Sequence, residues 1–296
     1  MVPICIVTRN RHHLLDITLR SLSASDLPDD QVLVIFDDSS NDPHTQRYLY
    51  TDQPVGVYTQ LPSGPGWEAM GLSAVVPRRV ANGLKDRVLV VKLGAQPMGV
   101  VNASCRAFSL MVEMFGPERG IIMCQDDVVF NSDWFTRMND AQNYPNPEAT
   151  RPIGLITGCW LNREDKVRRI PMSLVPEKGI TAQCYFVTPA GVKAVREWAR
   201  HAHNLDKGFD NKFCANVRIG GADVYRMFPA VCQHIGFHSI VRPTWRWHRW
   251  SAKGRVDYST EGPFPLAHDV RKFEREADDA EGFGSGNAED WHDFLM

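Results

Sequence analysis

Two adjacent carboxylates, Asp126 and Asp127, interrupt an otherwise apolar stretch, IIMCQDDVVFNSDWF over residues 121–135. Ile121, Ile122, Met123 and Cys124 read as a buried strand, and Val128, Val129 and Phe130 resume the apolar run. Aspartate is rarely buried unless it is paired or bound to a cation. Packing gives no reason for two of them here. A hard divalent cation holding a diphosphate would account for both, because Mg²⁺ or Mn²⁺ is commonly held by one or two carboxylates plus phosphate oxygens and water. A solvated turn after a strand would also place two acids there, but the strand before the pair and the capped Asp133-Trp134-Phe135 helix start after it favour the cation.

The elements that must position this pair can be traced from the N-terminus. Pro3–Thr8 is nearly continuously apolar, as expected of a strand buried on both faces, and it runs into the basic turn Thr8-Arg9-Asn10-Arg11. Leu15, Leu19 and Leu22 share one face of a following helix, which Pro28-Asp29-Asp30 ends. Val32–Phe36 is a second strand, closing in Asp37-Asp38-Ser39-Ser40-Asn41-Asp42. This is a β–α–β unit with polar loops after each strand. In open α/β sheets a ligand lies outside the carboxyl ends of the strands. Val55–Thr59 and Val88–Lys92 are further strands, and Gly94–Gly99 is a loop opening a helix over 100–115 with Phe108, Met111, Val112 and Phe115 on one face. Ile153–Thr157 and Ile180–Val187 read as strands, and Thr188-Pro189 as the N-cap and first residue of a helix to about 202.

Composition narrows the class. The 296 residues are 43% hydrophobic and 23% charged, ordinary for a globular protein, so one large or two small domains are expected. A net charge of −2 gives no whole-chain signature of a polyanion binder. The seven cysteines are scattered, with no CxxC, which points to free thiols in a reducing compartment. No signal-peptide core precedes the first strand and no run of about 18 apolar residues occurs, so the expectation is a cytoplasmic protein without a membrane anchor. Residues 242–255 interleave Arg242, Arg246, Arg249, Lys253 and Arg255 with Trp245, Trp247 and Trp250, whereas 274–296 carry eight acids against Arg275. The first segment suits phosphate contact and base stacking, or basic side chains lying over core tryptophans; the second suits a mobile tail.

Five ordered stretches carry a family resemblance: ICIVTRNR (4–11), VIFDDSSND (34–42), GVVNASCRAF (99–108), MCQDDVVFNSDWF (123–135) and FPAVCQHIGFHS (228–239). Together they resemble nucleotide-sugar-dependent glycosyltransferases of the GT-A fold with a DxD-like motif. The resemblance implies an α/β, Rossmann-like mixed central sheet flanked by helices over residues 1–240, with 241–273 and 274–296 as a C-terminal extension. It implies a hexosyl- or pentosyltransferase using a nucleoside-diphosphate sugar such as a UDP-sugar, with Mn²⁺ or Mg²⁺. The motif departs from its commoner form in carrying Gln125 where an acid is usual.

By motif position, Asp127 falls to the metal and Asp126 to the donor or to the metal's outer shell. Thr8, Arg9 and Arg11 fall to nucleotide or phosphate, a role for which the guanidinium fork is suited. An acid of the Asp37-Asp38 pair, Asp37 first, would accept from base or ribose, and Asn102 would stand beside the donor loop; a turn role for the two acids and a simple cap for Asn102 remain open. His234 or His238 would complete the metal shell, imidazole being a good ligand for such ions. Asp210 is the candidate base for an inverting reaction, with Asp206 and Asp223 as competitors. The acceptor expected is a glycan or a hydroxymethylated base in DNA, met by the 242–255 patch; a base in a duplex would have to be flipped out. Two other classes are compatible with these residues. A sugar-phosphate nucleotidyltransferase would share the acidic site but should carry an early Gly-rich loop, which Thr-Arg-Asn-Arg is not. A non-catalytic carbohydrate- or nucleic-acid-binding module would not need Asp126 and Asp127.

Overall fold

The computed structural model describes residues 2–28, 31–50, 74–78, 88–143, 150–159, 173–176, 182–202, 209–228 and 230–234. The expected strand at 55–59, the basic, Trp-rich segment, the acidic tail, Asp206 and His238 lie outside these residues.

The chain forms a mixed α/β sheet with helices on both faces. Strands β1 (Ile4–Thr8), β2 (Leu33–Asp37), β4 (Val88–Lys92) and β5 (Ile121–Gln125) run parallel in the spatial order β4-β2-β1-β5. All five residues of β1 and of β2 are buried, which is why both read as unbroken apolar runs. An antiparallel strand β3 (Ala74–Arg78) closes the β4 edge. On the other side β9 (Cys184–Val187) inserts antiparallel between β5 and β7 (Ile153–Thr157), and β10 (Asp223–Phe228) and β8 (Ser173–Pro176) follow, completing a nine-stranded sheet. A two-stranded sheet pairs β6 (Val128–Phe130) with β11 (Cys232–His234).

Helices α1 (His12–Ser23) and α4 (Trp134–Ala141) cover one face, burying Leu15, Leu19, Leu22, Trp134 and Met138 against Ile4, Ile6, Leu33 and Ile35. On the opposite face, α3 (Val100–Phe115), α5 (Pro189–His201) and α6 (Phe209–Ile219) bury Phe108, Met111, Val192, Val195 and Phe213 against Cys5, Val34, Phe36 and Met123. The crossover carrying α1 goes to one side of β1 and that carrying α3 to the other, so the strand order reverses between β1 and β5. Such a reversal opens a crevice at the carboxyl ends of the two strands.

Thr188 caps α5 as expected, accepting from the Gly191 amide at 3.2 Å with Pro189 in the first turn. Asp133 makes no side-chain cap for α4; the carboxylate of Asp26 does so instead, accepting from Phe135 and Thr136 at 3.0 and 2.9 Å. A short helix α2 (Pro43–Tyr50), for which the apolar pattern gave no expectation, starts at Asp42, whose carboxylate takes the Thr45 amide at 2.7 Å. All seven cysteines are buried free thiols. No helix among the described residues is long and apolar enough to cross a membrane.

Helix α5 lies against β7 through paired glycines. A Cβ on Gly191 would fall 1.8 Å from the Gly154 carbonyl oxygen, which is backbone and cannot turn aside. Gly191→Ala should therefore lower stability by about 1–3 kcal/mol, as overpacking of a closed contact does. Urea unfolding monitored by circular dichroism checks this; an unchanged midpoint would contradict the packing described.

Candidate functional site

The two carboxylates meet the first turn at the carboxyl ends of β1 and β5, where the strand order reverses. Thr8, the last residue of β1, donates its hydroxyl to Asp126 Oδ2 at 2.7 Å. The Arg9 amide also donates to the Asp126 carboxylate. Thr18 of α1 donates its hydroxyl to the Asp126 carbonyl at 2.9 Å and accepts from the Val128 amide at 3.1 Å, so the backbone on both sides of Asp127 is pinned to α1. The Arg11 guanidinium then bridges the pair. It donates to Asp127 Oδ2 and stands 3.3 Å from Asp126 Oδ1. Both carboxylates are almost fully buried, at 3% and 2% exposure. Burial raises the Asp126 carboxyl above its ordinary range, to about 6, against the opposing pull of Arg11; the adjacent Asp127 raises it further.

The loops after β1, β2 and β4 are tied into one surface. Asn10, at φ 54° in the left-handed region that asparagine tolerates better than most residues, is the hinge between the first two. Its amide donates to the Ser40 hydroxyl at 2.9 Å, and its side-chain oxygen accepts from the Asn41 and Asp42 amides at 2.9 and 3.0 Å. Ser39, also at φ 54°, donates to the Gly94 carbonyl at 2.7 Å. Asp38 receives the Met98 and Gly99 amides at 2.8 and 2.9 Å, and so holds the loop that leads into α3. Burial raises the Asp38 carboxyl and these two bonds oppose the rise. Asn102, one turn into α3, donates its side-chain amide back to the Met98 carbonyl at 3.0 Å.

Asp37 differs from its neighbour. It is fully buried, and it accepts from the Ser40 amide at 3.0 Å, the Ser40 hydroxyl at 2.5 Å and the Tyr50 hydroxyl at 2.7 Å. Its carboxylate shapes the 37–42 loop from inside. Arg9 is half-buried, and its Nε has no hydrogen-bond partner among the described residues, although the side chain acts electrostatically on Asp38.

Asp210 reaches the same edge from the α3–α5–α6 face. Val217, near the end of α6, lies where a Cβ on Gly154 at the start of β7 would touch it, whereas Phe209 and Phe213 pack on Tyr185, which pairs with Thr157 at the end of β7. Helix α6 thus runs antiparallel to β7, and its first turn, with Asp210, sits at the carboxyl edge of the sheet. The residue is helical, not part of a Gly-led turn. Burial raises its carboxyl to about 6. Asp223, one of its competitors, opens β10 at the opposite edge. His234 ends β11 in register with Val128, the residue after Asp127.

Among the described residues, no three His, Cys, Asp or Glu side chains converge as a metal centre. Asp126 and Asp127 converge on the Arg11 guanidinium. Two hard oxygen donors fit Mg²⁺ or Mn²⁺ where substrate phosphate supplies further oxygens.

Asn10 and Thr18 organise this edge without having been singled out by residue type, and Asp38, expected with Asp37 to meet base or ribose, accepts the Met98 and Gly99 amides instead. Asn10 had a sequence signal in its place between two arginines in a turn.

No family model matches the chain, and no curated protein matches it. Among solved structures it is similar to residues 1–349 of TarS from S. aureus, at 12% identity over 79% of this chain and 60% of that one, with a TM-score of 0.47. It is also similar to the mannosyltransferase PcManGT from Pyrobaculum calidifontis, solved with GDP-Man and Mn²⁺, at 13% identity over 97% and 65% of the two chains, TM-score 0.49. A third is the galactosyltransferase LgtC with donor and acceptor sugar analogs, at 9% identity over 86% and 95%, TM-score 0.42. The chain spans less than two thirds of the length of the first two.

The Thr8 hydroxyl is a neutral donor to a buried carboxylate. Thr8→Val keeps the shape and removes the bond, and should cost about 1.5–3 kcal/mol at neutral pH, the range for hydrogen bonds to charged groups. Chemical denaturation at pH 7.5 measures the loss; a cost near zero would show that Asp126 does not depend on β1.

Proposed function

We propose that the protein is a nucleotide-sugar-dependent glycosyltransferase of the GT-A type. The observation that carries this reading is the buried Asp126–Asp127 pair, set by Thr8 and Arg11 in the crevice where the strand order reverses between β1 and β5. An acidic pair has little reason to be buried there except to meet cationic partners, and the crevice is where open α/β sheets bind ligands.

In this reading a nucleoside diphosphate lies along the carboxyl edge, with a UDP-sugar as the first candidate donor. Arg9 and Arg11 present guanidinium groups to the phosphates; the buried Nε of Arg9 is a donor left for such a ligand. Asp37 serves by holding the 37–42 loop, and Asp38 and Asn102 by fixing the entry to α3. Asp127, with His234 or His238, would hold Mn²⁺ or Mg²⁺, and Asp126 would orient it from behind. Such an ion stabilises the negative charge that develops on the leaving diphosphate. Asp210 takes the proton of the acceptor hydroxyl as the acceptor oxygen bonds to the anomeric carbon and the bond to the diphosphate breaks. A carboxyl raised to about 6 by burial is a stronger base than a free aspartate and is still ionised at pH 7. A base in this role is the one an inverting reaction uses. The acceptor is a glycan, or a hydroxymethylated base in DNA met through residues 242–255.

Three outcomes test the reading. A thermal-shift screen of UDP-, GDP-, CMP- and ADP-sugars should raise the melting temperature with one nucleotide, more so with Mn²⁺, since a ligand binding only the folded state stabilises it. Asp127→Ala should fold normally and lose both the Mn²⁺-dependent part of that shift and transfer; wild-type turnover by this variant with added Mn²⁺ would refute the assignment. Pyrophosphate release in place of nucleoside diphosphate would identify a nucleotidyltransferase instead.

Asp210→Asn has two readouts of opposite sign. Activity should fall by roughly 10²–10⁴, the usual worth of a general base. In the wild type, activity should drop as pH falls through about 6, where Asp210 takes up its proton. Stability should move the other way. The folded carboxyl is raised from 3.8 to about 6, so the folded state binds more protons in that window and wild-type stability falls as pH rises through it. The variant should therefore melt at or above the wild type at pH 7.5, with the difference closing below about pH 4. A variant that melts lower at pH 7.5 would mark Asp210 as structural.

A further inference from the structure

The Arg11 guanidinium contacts both Asp126 and Asp127. The side chains of Arg11, Asp126 and Asp127 are 14%, 4% and 3% exposed, so little solvent screens the contact. The two carboxylates are not held alike. Asp126 is also held by the Thr8 hydroxyl and the Arg9 amide, contacts that do not involve the Arg11 side chain. Asp127 Oδ2 is the oxygen that Arg11 covers. A divalent ion seeking that oxygen meets a guanidinium at contact distance, so the pair resists a free cation while Arg11 remains.

Arg11 lies in the polar turn between β1 and α1, where a long side chain can change partner without disturbing a strand. A diphosphate at this edge offers it bidentate anionic oxygens of the kind a guanidinium prefers. We propose that Arg11 is the resident counter-ion of Asp126–Asp127 in the donor-free protein and exchanges onto the donor's diphosphate, so that divalent-cation binding is conditional on nucleotide. The proposal rests on the nucleotide-sugar reading above. Donor and cation then enter as a coupled pair, each raising the affinity for the other by the same factor. Arg11 is in this sense a positioning residue that keeps Asp127 covered until its ligand arrives.

The test is Mn²⁺ affinity, read from the electron paramagnetic resonance signal of free Mn²⁺, with and without UDP. Wild type is compared with Arg11→Gln, Arg11→Lys and Arg9→Gln. Without UDP, Arg11→Gln should bind Mn²⁺ about tenfold tighter than wild type or better, a typical size for coupling between sites. Arg9→Gln removes a neighbouring charge that does not bridge the pair and should stay close to wild type. UDP should strengthen Mn²⁺ binding more in wild type than in Arg11→Gln. Arg11→Lys keeps the charge without the fork and should lie between wild type and Arg11→Gln, which preserves the test if Arg11→Gln does not fold.

Equal Mn²⁺ affinity of wild type and the Arg11 variants without UDP would overturn the exchange. So would an Arg9→Gln effect as large as that of Arg11→Gln, since this would be a general field effect. Calorimetry with UDP separates the two levels of failure. If UDP binds wild type and Arg11 has no effect on Mn²⁺, only the exchange falls; if UDP does not bind with or without Mn²⁺, the donor reading falls and the exchange with it.

Discussion

The carboxylate of Asp126 is the point on which this architecture turns. It ends the apolar run of β5 and is received by the Thr8 hydroxyl at the end of β1, while its backbone is held by Thr18 of α1. One residue thus joins the two strands between which the strand order reverses and the helix that covers them. Its burial would be unfavourable alone, and is offset by neutral donors and by Arg11. Asp127, next in the chain, inherits a fixed backbone and the shared guanidinium. The division of labour is physical: the first acid is bound to the scaffold by Thr8 and Thr18, and the second meets the side chain of Arg11 from the turn after β1.

Much of this was legible in the residues. Apolar runs announced β1, β2 and β5 because strands buried on both faces leave no polar alternation to misread. Leucines at helical spacing marked α1, and Thr188-Pro189 marked the start of α5. Other features were hidden because their causes lie far away in the chain. Asp26 caps α4 from 109 and 110 residues upstream. Helix α2 buries only Thr45 and Leu49, too little apolar surface to leave a periodic pattern, although Asp42-Pro43 is a sound helix start. The antiparallel insertion of β9 between β5 and β7 is a matter of pairing, which a single strand does not encode.

The candidate site was legible in part, and unevenly. The acidic pair stood out because packing offered no reason for it. Asp37 and Asp38 look alike in sequence, yet Asp37 is enclosed by Ser40 and Tyr50 whereas Asp38 reaches the amides of Met98 and Gly99 some 60 residues on. Asn10 was visible as a polar turn residue, but its left-handed backbone and its grip on the Asn41 and Asp42 amides follow only from how two loops meet. Asp210 is at the edge because α6 runs antiparallel to β7, a direction set by the Gly154–Val217 contact and the Phe209, Phe213 and Tyr185 cluster.

The central claim is that the reversal point between β1 and β5 holds a nucleoside diphosphate and a divalent cation on Asp127. The most direct measurement is an anomalous difference map from crystals grown with UDP and Mn²⁺. The account predicts one strong peak within about 2–2.5 Å of an Asp127 oxygen, in the range of hard-cation to carboxylate distances, with diphosphate oxygens on its other side. Nucleotide and manganese bound elsewhere on the sheet, or a diphosphate at this edge with the peak remote from Asp127, would contradict it.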